Sequence, residues 1–216
     1  MADIFDEVSE ELKQDQLIQF WKKYSKLIIT IIFLIILSIV SYQAYIMWNK
    51  KKIEAISEQF FQALEKLEDK NYSESQNLFL NNSHNYKSGY NILFLFGLAE
   101  ANYQSGKIDE MILNYKTIYD DESVDIYYRY LSRILSVLKD NSSSFDQQRL
   151  LLEPILKSPS ILQVLAAELE VLLFIKFNKI KEAKKALNDL LKRSDISFEQ
   201  KNRLELINRI YKNNAK

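Results

Sequence analysis

Between Leu27 and Trp48 the chain carries no Asp, Glu, Lys, Arg or His, a run of 22 residues. A helix needs roughly 20 such residues to cross the hydrocarbon core of a bilayer. The first half, "LIITIIFLIILSIV", is almost wholly Ile, Leu and Phe. The second half, "SYQAYIMW", is milder and holds Tyr42, Tyr45 and Trp48, amphipathic rings that favour the level of the lipid headgroups. Trp21, Lys22, Lys23 and Lys26 stand before the run, and Lys50, Lys51 and Lys52 follow Trp48. Such side chains snorkel to the interface and pin a helix there. Two other readings compete. A cleaved signal peptide has an apolar run of about 7–15 residues and a small-residue cleavage site, whereas here the run is longer and Ala44 has Tyr42 at the −3 position. A buried core helix keeps a polar stripe over such a length. An uncleaved anchor over 27–48 fits best. Its orientation is undecided by charge: Lys13, Lys22, Lys23 and Lys26 on one side balance Lys50, Lys51, Lys52 and Lys66 on the other.

After the anchor about 165 residues remain, enough for one domain with its own core. Lys and Arg together number 29 and so do Asp and Glu, with no concentrated basic patch. That balance argues against nucleic acid as a partner. Cysteine is absent, which excludes disulfides, thiolate metal sites and a cysteine nucleophile. Only 3 glycines and 2 prolines occur. Few glycines mean few tight turns and no phosphate-cradling loop, and a helical domain needs the least of both residues. The predicted fold is all-α.

Residues 1–26 form a separate N-terminal segment. Ile4, Phe5, Val8 and Leu12 recur at helical spacing among Asp3, Asp6, Glu7, Glu10 and Glu11, which predicts a short amphipathic helix at the interface or against a partner. The competing reading is a disordered acidic tail. After the anchor, Ile53, Ile56, Phe60, Leu64 and Leu67 keep a helical spacing with no Gly or Pro between. The anchor is therefore expected to run on into the first helix of a domain over 49–216.

That domain repeats. Helix, polar turn and helix recur four times, with turn marks at Lys70, Gly106, Asn141 and Asn178, separated by 36, 35 and 37 residues. The period resembles the tetratricopeptide repeat, whose unit is about 34 residues. In the second unit Leu95, Leu98 and Ala99 stand where the first helix packs, with Met111, Tyr115 and Ile118 across the turn. Phe174, then Ala183, Leu187 and Leu190 take these places in the fourth unit, and Ala63, Ser75 and Phe79 in the first. The third unit is the most divergent. A non-repeating helical bundle has the same 3.6-residue periodicity and is the alternative. The expected architecture is one transmembrane helix followed by an α-solenoid of about four helical hairpins.

No catalytic or metal-binding motif is legible. The single histidine, His84, sits in the polar loop "NNSHNYKSG" with no second ligand beside it. Carboxylates lie on helix faces next to lysines, as in "IKEAKKAL", where they read as solvated pairs. Tyr127, Tyr128 and Tyr130 cluster at the start of a helix and read as core packing in preference to a ligand cage. No cofactor is expected, and the chain is not expected to be an enzyme. What remains is the groove that stacked hairpins form, which binds protein segments. In this register Phe96, Glu100 and Tyr103 of the second unit and Tyr128 and Leu131 of the third point into it. The competing reading makes the apolar ones core.

"DIFDEVSEELKQDQLIQFWKKY", one span and a short repeat domain together resemble the YfgM-like ancillary subunits of the bacterial SecYEG translocon. The resemblance implies an inner-membrane protein with a cytoplasmic N-terminus and a periplasmic repeat domain. It implies as partners the translocon subunits, periplasmic chaperones and emerging client chains, and it breaks the orientation tie. It carries over no catalytic residues. A scaffold for another envelope assembly, such as division or secretion machinery, is the alternative function.

Overall fold

The structure is a computed structural model that describes residues 2–83 and 90–213. Among them all regular structure is helical: α1 (Ala2–Glu68), α2 (Tyr72–Ser83), α3 (Tyr90–Gln104), α4 (Ile108–Asp120), α5 (Ile126–Lys139), α6 (Phe145–Leu156), α7 (Gln163–Lys176), α8 (Ile180–Leu191) and α9 (Phe198–Asn213). The chain divides into two compact units, Met1–Ser57 and Glu58–Lys216, and α1 contributes to both.

In the first unit the helix is unbroken because no Gly or Pro falls between residues 2 and 68 and long Ile, Leu and Phe side chains tolerate the helical backbone. Of Ile4, Phe5, Val8 and Leu12 only the helical backbone is described. From Ile29 onward the helix is long and apolar enough to cross a membrane, and none of its most hydrophobic window is buried by protein. A rise of 1.5 Å per residue makes the 27–48 run about 33 Å long, against a hydrocarbon core of about 30 Å.

The second unit is a stack of antiparallel helix pairs. The last turns of α1 meet α2 through Ala63 with Ser75 and Phe60 with Phe79; α3 pairs with α4, α5 with α6 and α7 with α8, each helix from α2 on packs on the next, and α3 meets α5 as α5 meets α7. That pattern is the solenoid expected from the repeat. Three of its turns are built alike. Lys70 (φ 60°), Gly106 (φ 81°) and Asn178 (φ 59°) take the left-handed conformation. In each, the next residue donates back five positions: Asn71 to Lys66, Lys107 to Asn102 and Lys179 to Phe174, at 2.8–2.9 Å. This is the Schellman closure of a helix end.

The packing positions read from the sequence are buried: Ala63, Ser75 and Phe79; Leu98, Ala99, Met111, Tyr115 and Ile118; Ala183, Leu187 and Leu190. Leu95 and Phe174 are half-buried. Ser75 fits against α1 because its hydroxyl donates to the Ala63 carbonyl (2.9 Å). Phe60, Phe79 and Phe94 meet edge to face with centroids 5.5–6.3 Å apart, each pair adding about 0.5–1.5 kcal/mol beyond its buried area. Gly97 lets α3 lie on the Phe79 ring, since a Cβ there would come within 2.3 Å of it.

The third turn falls at Asp140–Ser144, within the unit read as the most divergent, and is closed differently from the other three. Asn141 does not take the left-handed conformation; Asp140 before it is extended (φ −80°, ψ 116°). Its buried carboxylate accepts from the Ser142 amide (2.7 Å), the Ser142 hydroxyl (2.9 Å) and the Ser143 amide (3.0 Å). Gln148, fully buried, donates to the carbonyls of Asp140 (3.2 Å) and Ser143 (2.9 Å). Lys176 reaches over from α7 to the Asp140 carbonyl (2.7 Å) and to Gln148 Oε1 (3.3 Å). Ser144 then opens α6 with a capping box completed by Gln147.

Beyond the four hairpins the chain makes one more helix, α9. Ser197 and Gln200 cap it reciprocally. Leu204 is fully buried against Val171, Leu187 and Leu190, and Arg203 grips the Glu168 carboxylate with two hydrogen bonds of 2.9 and 2.8 Å. A terminal helix of this kind covers the open end of a solenoid.

Candidate protein-binding face

The first helices of the hairpins, α3, α5 and α7, carry the residues predicted to line a groove. Phe96 is half-buried against Ala99, Met111 and Tyr115, its ring centroid 6.1 Å from that of Tyr115. Leu131 packs on the core of Ile134, Val137, Leu152 and Ile155. Both are core residues, because a neighbouring hairpin covers the helix flank they occupy. Tyr128 is exposed in the first turn of α5. It stands eleven residues from Lys139, about 16 Å along the helix.

Glu100 and Tyr103 do come together, around a residue the sequence reading did not single out. Lys139 at the end of α5 donates to Glu100 Oε2 and lies over the Tyr103 ring, 4.4 Å from its centroid. Gln104 donates to the other Glu100 oxygen at 3.0 Å. Partial burial works against the Glu100 carboxylate, but the hydrogen bonds from Lys139 and Gln104 outweigh it and hold its pKa below the ordinary glutamate value. Burial, and then the Glu100 charge, push the Tyr115 hydroxyl well above the ordinary tyrosine value. The cluster therefore presents a fixed ion pair beside an aromatic face.

The tyrosines at the start of α5 correct a second expectation. Tyr130 packs on the core, but Tyr127 and Tyr128 are exposed, edge to face with centroids 5.6 Å apart. Asp125 accepts from the Tyr127 amide (2.8 Å), and this N-cap fixes the first turn of α5 so that only one of the three rings turns inward.

A furrow between α6, α7 and α8 also escaped the sequence reading. Its volume is about 470 Å³, its floor is Ala167, Phe174, Ala186 and Leu190, and its rim carries Lys185 and the Arg149–Glu170 ion pair (3.0 Å). The signal lay in Ala167 and Ala186, small residues on facing helices that leave room above Phe174. Among the described residues no group of His, Cys, Asp and Glu is placed to hold a metal ion. His84 lies outside the described residues.

The residues read as membrane-interface anchors are all exposed on α1: Trp21, Lys22, Lys23 and Lys26 on one side, Trp48, Lys50, Lys51 and Lys52 on the other. Lys23 sits 5.3 Å from the Tyr24 ring and Lys52 6.0 Å from the Trp48 ring. The two tryptophans are 27 positions apart, about 40 Å of helix, which matches a bilayer with its headgroups.

No curated protein and no solved structure matches the chain. A family model described as a tetratricopeptide repeat-like domain matches residues 18–206. The match begins ahead of the apolar run and ends within α9, so it takes in the long helix as well as the four hairpins. The chain belongs to the tetratricopeptide repeat-like domain family.

Proposed function

We propose that the protein is a membrane-anchored scaffold that binds other proteins through its repeat domain and catalyses no reaction. Residues 27–48 span the bilayer; residues 1–26 lie on one side as an amphipathic segment and the domain over 49–216 on the other. One observation carries this reading: the exposed apolar helix continues without a break into the first hairpin of the solenoid. A binding surface tethered in this way is held at high effective concentration beside whatever crosses the same membrane. The resemblance of the N-terminal segment extends the reading to an accessory subunit of the protein translocon. Its N-terminus would be cytoplasmic and its repeat domain periplasmic, handing emerging chains to periplasmic chaperones. A scaffold for a different envelope assembly is the second reading.

A photocrosslinking residue in place of Tyr103, in the full chain in its own membranes, separates them. Adducts with translocon subunits or periplasmic chaperones are expected. Adducts confined to another envelope complex would replace the first reading by the second. A topology reporter fused after Lys216 should be active outside the cytoplasm; activity in the cytoplasm alone would overturn the orientation.

A further inference from the structure

The two rims of the solenoid differ in chemistry. Phe60 meets Phe94, Glu100 meets Lys139, the Asp140 carbonyl meets Lys176, and Glu168 meets Arg203. These contacts join corresponding levels of α1, α3, α5, α7 and α9. The Glu58–Glu68 stretch of α1 and the helices α3, α5, α7 and α9 therefore run parallel, and within the second unit they begin at one rim. The opposite rim holds the turns at 69–71, 105–107, 140–144 and 178–179, which are polar, with the large apolar side chains of Tyr103 and Leu138 exposed beside them. The rim where the helices start exposes Leu93, Ile126, Tyr127, Tyr128, Ile161 and Phe198. Ile161 is 84% exposed and Phe198 74%. A rim that is apolar and aromatic at four successive helix starts is not explained by the packing of the domain itself.

We propose that this rim rests on the interfacial layer of the bilayer in which the chain is anchored. The inference rests on the reading of 27–48 as a membrane span. Covalent connection is the first argument. The stretch Glu58–Glu68 of α1 starts at this same rim. Glu58 is ten residues from Trp48, so whatever angle the units adopt, it lies at most about 35 Å from the end of the span. The residue types are the second. Tyr127 and Tyr128 present an apolar body and a polar tip, the amphipathic form enriched at headgroup depth, and Ile126, Ile161 and Phe198 supply apolar area that gains by entering that layer. Charge sets the lipid. Asp120, Asp121, Glu122 and Asp125 before α5 share this rim with Lys157, Lys192 and Arg193 at the ends of α6 and α8, so it carries no excess of positive charge to favour an anionic surface. The contact is therefore with neutral phospholipid and comes from apolar burial.

Because the chain has no cysteine, single-cysteine variants of the full protein carry a fluorophore at one chosen position. In phosphatidylcholine vesicles doped with nitroxide lipids, labels at Tyr128→Cys, Ile161→Cys and Phe198→Cys are expected to be quenched at least about twofold more than labels at Asp109→Cys and Lys181→Cys beside the polar turns, since interfacial burial reaches about 5–10 Å into the headgroup boundary. Ile39→Cys reports the span itself. An Ile39 label quenched by deep nitroxides together with rim labels no more quenched than the polar-turn labels would overturn the rim contact and leave the anchor standing. An Ile39 label that escapes quenching would overturn the anchor and the rim contact with it.

Discussion

Three hairpins of the solenoid turn on one left-handed residue, and one turns on a network of side chains. At Lys70, Gly106 and Asn178 the closure is a matter of backbone alone, two hydrogen bonds within a single helix end. At Asp140 the same reversal takes an extended residue, a buried carboxylate, a buried amide and a lysine from the following hairpin. The difference is in reach. A Schellman turn closes through its own backbone, although side chains beside it still reach a neighbour, as Lys107 and Ser105 reach Gln76 of α2. In the third turn Lys176 from α7 bonds the Asp140 carbonyl at the point of closure, so its geometry also fixes how the third and fourth hairpins meet. The sequence has room for this because Asn141–Ser144 offers small hydroxyl side chains that bond to a neighbouring carboxylate instead of a glycine that turns by itself.

Substitutions sharpen the contrast. The largest effect should come from Gln148→Leu, which leaves the buried carbonyls of Asp140 and Ser143 without its amide: we expect a loss of about 2–3 kcal/mol in urea unfolding. Lys176→Met should cost about 1 kcal/mol, because its ammonium is partly in water; protection from hydrogen exchange should fall in both the third turn and α7. Gly106→Ala should cost a similar or slightly smaller amount, about 1 kcal/mol, through backbone strain alone, since a Cβ there meets nothing within 4 Å. Exchange should rise at that turn and at the end of α2 that Gln76 ties to it, and not in α7. Asn178→Gly and Lys70→Gly, which relieve a positive φ, should be worth about 0.5 kcal/mol in the other direction, offset by a freer unfolded chain. Loss of protection in α7 from Gly106→Ala would break the comparison.

Acid should discriminate in the same way, with no effect near neutrality. Burial works against the Asp140 carboxylate, but the hydrogen bonds of Ser143 and Ser142 outweigh it and hold its pKa below the ordinary aspartate value of about 3.9. A group depressed in the folded state stabilises above its unfolded pKa, and that contribution is lost as pH falls through the folded value. Protection of the Ser142 and Ser143 amides, taken relative to the intrinsic exchange rate at each pH, should therefore fall below about pH 4, and Asp140→Asn should flatten that dependence.

The repeat was legible because its signals are local. Turn marks at a near-constant spacing and small residues such as Ala63, Ala99 and Ala183 at helix contacts are set by backbone conformation and by close approach, and both are written in residue type. The third turn was legible in place, at Asp140–Ser144, and not in how it closes, because its closure depends on Gln148 and Lys176, which are 8 and 36 positions from Asp140. Helix α9 was missed although Ser197 and Gln200 spell a capping box. Helical periodicity states which residues share a face and is silent on which neighbour covers that face, so it did not separate Phe96 and Leu131, half-buried against the core, from Glu100 and Tyr103 at the surface. Lys139, which joins them, became visible only once α3 and α5 lay side by side.

Everything proposed for function depends on the helix over 27–48 staying in lipid with the repeat domain attached. Alkaline carbonate washing of membranes that contain the full chain tests this directly, with a chain lacking residues 27–48 alongside. The full chain should stay in the membrane pellet at full length, and the shortened chain should wash into the supernatant. A full chain released by carbonate, or recovered only as a fragment beginning after Trp48, would contradict a tethered scaffold.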